Sequence, residues 1–257
     1  MKRILSVLFL FCFSITSVLA KDMRFIQVDS ALYSSANQKK FEKLIDKINN
    51  EKDVEFVVFT GDNLAKPNHK YLEEFLKSSK TLNVPFYIVL GNKDLNKQKS
   101  LGKKEYMEIL GKNIRFYKKI KSPCYVFEKN KWVFIVVDGA KEVIPTSGGY
   151  YKPEVLEWLA EQLNIYKNRK VVILQHFPIV PPALKETKYT YKAENYLSFL
   201  ADYNNVKAII SGNFDVNKER KVNGVLHIST ANAPKYRIID ILDYETDAPI
   251  LWSTIKN

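Results

Sequence analysis

The segment VKAIISGNFD, residues 206–215, predicts a buried strand that ends at a glycine and continues into small polar residues. The segments FTGDN (59–63) and LGNKD (90–94) have the same form. The glycine in each segment lets the backbone turn sharply and come close to a ligand. The three strand ends therefore predict polar side chains that project over one edge of a sheet.

Strand and helix patterns alternate through the first two thirds of the chain. Residues 54–60, VEFVVFT, form a mostly apolar run, which is typical of a strand buried on both faces. Residues 37–50 place apolar side chains on one helical face. The last part of the chain favours a β meander made of 224–230, 235–242 and 249–255. The alternation predicts an α/β protein with one parallel-rich sheet and a second, more antiparallel sheet.

Length and composition are those of an ordinary globular protein. The chain has 257 residues, of which 46% are hydrophobic and 26% charged. No internal repeat, low-complexity segment or long Pro/Gly/Ser linker divides it. We therefore expect one domain after the N-terminal leader.

The leader, residues 1–20, has the form of a signal peptide. Lys2 and Arg3 precede an apolar run that ends in the small-residue pattern VLA. An uncleaved anchor is the alternative, but the run is short for a membrane span of about 20 residues. We expect cleavage after Ala20, a mature domain over 21–257 without a transmembrane segment, and export to the periplasm, cell surface or extracellular medium.

The chain is basic, with a formal net charge of +12. A basic exported protein can bind nucleic acid, anionic lipid or an anionic wall polymer. The lysines are spread along the chain and are not clustered between aromatic residues, so we interpret them as solvated surface charges. Nucleic acid is therefore not an expected partner.

Ligands of open α/β sheets bind beyond the carboxyl ends of the strands. In this chain those ends carry carboxylates, amides, one imidazole and one amine, which are the side chains of Asp29, Asp62, Asn92, Lys93, His176, Asn213 and Asp215. A set so rich in oxygen suits a hard divalent cation. These residues are the candidate site.

The segments TGDN, LGNKD, QHFP and SGNFD, in this order and spacing, resemble the calcineurin-like metallophosphoesterases. The segments VLEWLAEQL and YNNVKAIISG add to the resemblance, which covers about residues 23–242. It implies a four-layer αββα sandwich of two mixed β-sheets flanked by helices. It also implies a phosphoesterase site in which two metal ions hold a bridging water as nucleophile.

The resemblance assigns roles to individual residues. Asp62 matches the carboxylate that bridges the two metals, Asn92 matches the amide ligand, and His176 matches an imidazole ligand of the second metal. Lys93 stands where the family has its catalytic histidine. Asn213 and Asp215 stand where the family has the two histidines of Gly-His-x-His.

The first motif of the family, Asp-x-His, has two registers in FIQVDSALYSS (25–35). If Asp29 is the ligand, Ala31 replaces the paired histidine. If the strand register is kept, the two positions are Ser30 and Leu32. The histidine is missing in either register.

Two functions of different classes follow from these replacements. The first is an exported pseudoenzyme that binds a phosphate-containing ligand or a protein partner in the old cleft. The second is a divergent hydrolase that uses one oxygen-ligated Mg²⁺, Mn²⁺ or Ca²⁺, with Lys93 as a phosphate clamp. A basic protein that binds a wall polymer or another polyanion is a third alternative.

The same replacements set the expected chemistry of the site. A dinuclear Zn or Fe site is not expected, because His176 alone offers a nitrogen ligand. Carboxylates crowded in a partly dry cleft need a cation. We therefore expect the ammonium group of Lys93 to pair with Asp62 or Asp215.

Overall fold

The strand patterns form two mixed β-sheets in a computed structural model, which describes residues 23–98, 101–184, 186–242 and 250–257. The predicted signal peptide, residues 1–20, lies outside the described residues. The strands of the described residues, in chain order, are β1 (Met23–Val28), β2 (Phe56–Phe59), β3 (Phe86–Ile88), β4 (Tyr125–Lys129), β5 (Trp132–Val136), β6 (Lys170–Leu174), β7 (Val206–Ser211), β8 (Lys218–Val222), β9 (Val225–Ser229), β10 (Tyr236–Leu242) and β11 (Ile250–Lys256).

The first sheet has the strand order β11-β10-β1-β2-β3, and the second has the order β4-β5-β6-β7-β9-β8. Parallel pairs join β1, β2 and β3 in the first sheet, and β5, β6, β7 and β9 in the second. The antiparallel pairs are β11-β10 and β10-β1 in the first sheet, and β4-β5 and β9-β8 in the second. Both sheets are therefore mixed, as the resemblance implied. The expected contrast between a parallel-rich and a more antiparallel sheet is slight, since three of five pairs are parallel in the second sheet and two of four in the first.

The helices flank the sheets and complete the four-layer αββα sandwich. They are α1 (Gln38–Asn49), α2 (His69–Ser79), α3 (Lys103–Asn113), α4 (Pro153–Ile165) and α5 (Ala193–Leu200). The apolar face of α1 is buried as its sequence period predicts. Asn68 caps α2, because its side-chain oxygen accepts the backbone N–H of Tyr71 at 3.1 Å. None of the helices in the described part of the chain combines the length and apolar character that a membrane span requires.

Aromatic side chains fill the space between the two sheets. Phe25 of β1 stacks on Phe56 of β2, with ring centroids 4.8 Å apart. Phe134 of β5 meets the edges of Phe25 at 5.6 Å and of Phe56 at 5.1 Å. All three rings are fully buried. Because β1 and β2 lie in one sheet and β5 in the other, these contacts hold the sheets face to face.

The predicted C-terminal meander is wrong for its first strand, β9, and right for β10 and β11, which pair antiparallel. Strand β9 pairs in parallel with β7 in the second sheet, and the chain then crosses to the first sheet, where β10 pairs antiparallel with β1. The sequence pattern also misses β8, whose residues KERKV are mostly exposed. An edge strand with one free side can carry charges throughout, so it lacks the apolar alternation on which strand prediction depends.

We predict that His227 makes the protein sensitive to acid. Burial in β9 lowers the pKa of His227 to about 4, whereas an unfolded chain takes up this proton near pH 6.5. The unfolded state is therefore favoured as the pH falls from about 6.5 to about 4, by up to about 3 kcal/mol. Urea denaturation of His227→Gln should show a weaker loss of stability across this window than the parent. Equal pH dependence of the two proteins would contradict the prediction.

Candidate functional site

The candidate site lies where strand ends of the two sheets meet. Asp29 follows β1 of the first sheet, and Gly212 and Asn213 follow β7 of the second. The backbone N–H of Asn213 donates to Asp29 Oδ2 at 3.2 Å, and the N–H of Gly212 donates to the carbonyl of His176 at 3.0 Å. The N–H of Ser30 donates to the carbonyl of Gly61 at 3.0 Å. These bonds bring the ends of β1, β2, β6 and β7 together.

Asp29 is buried, and its carboxylate is held by three donors. Its oxygens accept the hydroxyls of Ser30 at 2.9 Å and Thr60 at 3.0 Å, in addition to the backbone N–H of Asn213. A Cβ atom at position 212 would lie 1.6 Å from Asp29 Oδ1, so only glycine fits there. The structure therefore places the buried Asp29 carboxylate where the ends of β1 and β7 meet.

His176 lies between the two buried carboxylates. Its Nδ1 is 2.7 Å from the carbonyl oxygen of Thr60, which can only accept, so Nδ1 carries the proton. Its Nε2 is 3.4 Å from Asp62 Oδ1, longer than the usual N–H···O hydrogen bond, and it has no hydrogen-bond partner among the described residues. Burial acts to lower the pKa of His176, but Asp62 and Asp29 outweigh it and raise this pKa to about 9.

Lys93 pairs with Asp62, as expected. Lys93 Nζ lies 3.4 Å from Asp62 Oδ2, and the backbone N–H of Lys93 donates to Asp62 Oδ1 at 2.9 Å. The Asp62 side chain is only 4% exposed, but that of Lys93 is 45% exposed. The ion pair therefore sits at the rim of the site, with the cation facing solvent.

A short 3₁₀ turn, Asn92–Asp94, presents Asn92 and Lys93. Asp94 is fully buried and closes the turn by accepting the backbone N–H groups of Gly91 at 2.8 Å and Leu64 at 2.9 Å. Burial, together with the nearby charge of Asp62, raises the pKa of Asp94 to about 7. The role of Asp94 is therefore to shape the loop that carries the candidate residues.

The side chains of Asn213 and Asp215 are engaged elsewhere. Asn213 Nδ2 donates to the carbonyls of Ser147 at 3.0 Å and Lys188 at 3.4 Å, so it joins two loops over the site. Asp215 is exposed, and its Oδ1 accepts the backbone N–H of Asn232 at 3.0 Å. Of the two partners expected for Lys93, Asp62 is the one that forms the ion pair. The structure thus brings together Asp29, Asp62, Asn92, Lys93 and His176. The side chains of Asn213 and Asp215 instead bond to backbone groups.

A polar layer beneath the site was missed by the sequence analysis. Gln27 Nε2 donates to the carbonyl of Ser211 at 2.8 Å and to Thr60 Oγ1 at 3.1 Å, and Gln27 Oε1 accepts the hydroxyl of Thr230 at 2.6 Å. Gln27 and Ser211 lie in different sheets, so this side chain links the sheets directly under Asp29. The signal in the sequence was a glutamine inside the apolar strand MRFIQV.

An ion pair with a buried carboxylate was also missed. Lys103 Nζ lies 2.5 Å from a carboxylate oxygen of Asp138, which follows the end of β5. Burial raises the pKa of Asp138, and the ammonium group of Lys103 opposes that shift. The signal was an aspartate directly after the apolar strand WVFIVV, which has the same form as the other strand ends.

The residues present do not fit two metal ions. Three donors already occupy the carboxylate of Asp29, the ammonium group of Lys93 lies against Asp62, and His176 is the sole imidazole among the candidate residues. Across the described ranges, no group of three or more His, Cys, Asp or Glu residues has a geometry that could hold a metal. Two ions close together need an anionic bridge and several further ligands, which this arrangement lacks.

The donor atoms are a better match for one ion. Asn92 Oδ1 and His176 Nε2 are buried, and neither has a hydrogen-bond partner among the residues that the structure describes. Buried polar atoms are rarely left without partners, and each such atom calls for an explanation. A single cation bound by Asp62, Asn92 and His176 would supply a partner for both atoms, but it would have to displace the proton that a pKa of about 9 leaves on His176 Nε2 at neutral pH.

Known proteins resemble this chain in sequence and fold. "Probable glycerophosphodiester phosphodiesterase GpdQ" of Arcobacter nitrofigilis is 27% identical over 205 residues, which are 76% of this chain and 67% of the relative. A dimetal phosphatase from Danio rerio superposes with a TM-score of 0.66 over 90% of this chain and 99% of its own, at 14% identity. TT1561 of Thermus thermophilus superposes with a TM-score of 0.61 over 90% of this chain and 98% of its own, at 12% identity. At these identities the two structures show a shared fold alone.

The family model described as calcineurin-like phosphoesterase matches residues 34–212. The matched stretch contains Asp62, Asn92, Lys93 and His176, and it ends at Gly212 beside Asp29. It spans more than half of the chain, which therefore belongs to the calcineurin-like phosphoesterase family of metal-dependent phosphoesterases.

Proposed function

We propose that the chain is an exported member of this family that binds a phosphate-containing ligand in the cleft and has lost dinuclear hydrolysis. The observation that carries the proposal is the ion pair of Lys93 with Asp62, at 3.4 Å. In the family this carboxylate bridges two cations. Here an ammonium group supplies the nearby positive charge without supplying a metal-bound nucleophile.

The cleft retains features that suit a phosphate group. The ammonium group of Lys93 is partly open to solvent, and that of Lys188 donates to the carbonyl of Asn213 at the same edge of the site. Ammonium groups bind phosphate as point charges. We favour a phosphodiester as the ligand, because the relative is named as a probable glycerophosphodiester phosphodiesterase.

A second candidate is hydrolysis with one divalent cation, Mg²⁺, Mn²⁺ or Ca²⁺. The unpartnered atoms Asn92 Oδ1 and His176 Nε2 favour it, since with Asp62 they would hold the ion. Held there, an ion would supply Lewis-acid chemistry: polarisation of a phosphoryl oxygen and a lower pKa of a bound water. The hydrogen bond of His176 Nδ1 with Thr60 keeps Nε2 directed at Asp62, and Lys93 would hold the phosphate.

Elemental analysis of the purified protein separates these candidates. We expect no stoichiometric Zn or Fe, and no hydrolysis of p-nitrophenyl phosphate or bis(p-nitrophenyl) phosphate with added Mg²⁺, Mn²⁺, Ca²⁺ or Zn²⁺. Calorimetry with bis(p-nitrophenyl) phosphate should still show binding that Lys93→Ala weakens. Two equivalents of Zn or Fe would overturn the proposal. One equivalent of metal together with hydrolysis would establish the second candidate.

We predict that Lys93→Ala changes metal response more than stability. Because the Lys93 side chain is 45% exposed, the ion pair contributes about 1 kcal/mol at most, not the roughly 3–5 kcal/mol of a buried pair. Removing the ammonium group should let Mn²⁺ reach Asp62, and a ligand that binds only the folded state raises the melting temperature. In thermal denaturation, added Mn²⁺ should therefore raise the melting temperature of Lys93→Ala more than it raises that of the parent.

The matched control for Lys93→Ala is Lys97→Ala. Lys97 is 66% exposed and lies 4.0 Å from Glu142, away from Asp62. Its Mn²⁺ response should equal that of the parent. If Lys93→Ala also responds to Mn²⁺ like the parent, Lys93 does not compete with a cation at Asp62.

We also predict that the exported protein begins at Lys21. The pattern VLA before this position fits a small-residue cleavage site. N-terminal sequencing of protein recovered from the periplasmic or extracellular fraction checks it. An N-terminus at Met1 in that fraction would mean that the leader is retained as an anchor.

A further inference from the structure

A concavity of about 280 Å³ lies between helix α1 and the segment Ala233–Pro234. It is slightly smaller than the usual range of about 300–1,000 Å³ for small-molecule pockets. Its base includes the buried side chains of Phe41 and Leu44, and its rim includes the exposed Lys40 and Lys43. The pocket therefore combines an apolar floor with a cationic rim.

The rim of the pocket carries only positive charge. Lys40, Lys43 and Lys47 lie along one side of α1, at positions i, i+3 and i+7, and the lining contains no acidic residue. In the described part of the chain no carboxylate forms an ion pair with Lys40 or Lys43. Lys47 Nζ donates to the backbone oxygen of Asn257 at 3.2 Å. Two ammonium groups at the rim are thus available to an anion.

The pocket adjoins the candidate site along the chain and in space. Its lining includes Ala31, two residues after Asp29, and Ala233, whose backbone N–H donates to the carbonyl of Asp29 at 2.8 Å. The preceding residue, Asn232, donates its backbone N–H to Asp215. A ligand in the pocket would therefore lie beside the Asp29 edge of the cleft.

We propose that this pocket binds a small anionic amphiphile, a molecule with a phosphate or carboxylate head and a short hydrocarbon body. The head pairs with Lys40 and Lys43, and the body lies on Phe41 and Leu44. Burial of the hydrocarbon on an apolar floor removes it from water, and the unpaired ammonium groups complement the head. The proposal does not depend on whether the cleft hydrolyses a phosphoester.

The test uses calorimetry with octyl phosphate below its micelle concentration, and with 1-octanol and inorganic phosphate as the two halves of the ligand. We expect octyl phosphate to bind with one equivalent and each half to bind about tenfold more weakly or worse, because each makes only part of the contacts. The double variant Lys40→Gln/Lys43→Gln should lose about tenfold in affinity, since it removes two charge contacts. The double variant Lys40→Arg/Lys43→Arg keeps both positive charges and should bind octyl phosphate about as tightly as the parent.

The control variant is Lys39→Gln/Lys77→Gln, which removes the same charge from exposed positions outside the lining. It should bind octyl phosphate like the parent. Equal binding by the Lys40/Lys43 variant, or binding of phosphatidylglycerol vesicles without binding of the monomeric amphiphile, would overturn the proposal. Loss of octyl phosphate binding in Lys93→Ala but not in the Lys40/Lys43 variant would assign the ligand to the cleft and overturn it as well.

Discussion

Replacing Gly212 with alanine is expected to lower the free energy of unfolding by about 4 kcal/mol. The added Cβ would lie 1.6 Å from Asp29 Oδ1 and 2.0 Å from its carboxyl carbon. Asp29 cannot move aside cheaply, because Ser30, Thr60 and Asn213 hold its carboxylate. The substitution must therefore separate the end of β7 from the end of β1 or break these hydrogen bonds.

The matched control for this substitution is Gly224→Ala. Gly224 has a φ of +81°, and an added Cβ there meets nothing within 4 Å. Gly224→Ala should lower the free energy of unfolding only by the cost of an alanine in the left-handed backbone region, about 1–2 kcal/mol. Urea denaturation of both variants and the parent measures the difference. A Gly212→Ala protein as stable as the Gly224→Ala protein would show that the close approach of Gly212 and Asp29 is wrong.

Replacing Asp29 with alanine is expected to cost about 3–5 kcal/mol of stability in the presence of a chelator. Three buried donors, the hydroxyls of Ser30 and Thr60 and the N–H of Asn213, would lose their acceptor. His176 would also lose the carboxylate that lies 3.7 Å from its Nδ1. A buried donor without a partner loses its hydration and gains nothing in exchange.

Asp29→Asn is the conservative comparison, because it keeps one acceptor oxygen and the shape of the side chain. It should retain part of the stability that Asp29→Ala loses. Melting curves with and without chelator distinguish the two roles of Asp29. If Asp29→Ala melts like the parent in chelator and differs from it only with added metal, Asp29 is a metal ligand and the structural role is wrong.

Much of the fold followed from local patterns in the sequence. The apolar face of α1, the strand MRFIQV and the hairpin of β4 and β5 each lie within a short segment, and the structure confirms all three. These features depend on side-chain periodicity and on burial of one segment, which a single sequence displays. The pairing of Lys93 with a strand-end carboxylate could also be anticipated, but the sequence left Asp62 and Asp215 as alternatives, and the structure shows Asp62.

The motif segments by themselves determined the family and the neighbourhood of Asp62, Asn92 and His176. The position of Asp29 beside the end of β7 required the tertiary structure, because the bond that holds it there joins Asp29 to Asn213, 184 positions away. The division of β9 and β10 between two sheets was likewise decided by long-range pairing with β7 and β1. Local sequence patterns predict which residues are buried. The partner of a buried strand or carboxylate depends on packing between segments that are distant in the sequence.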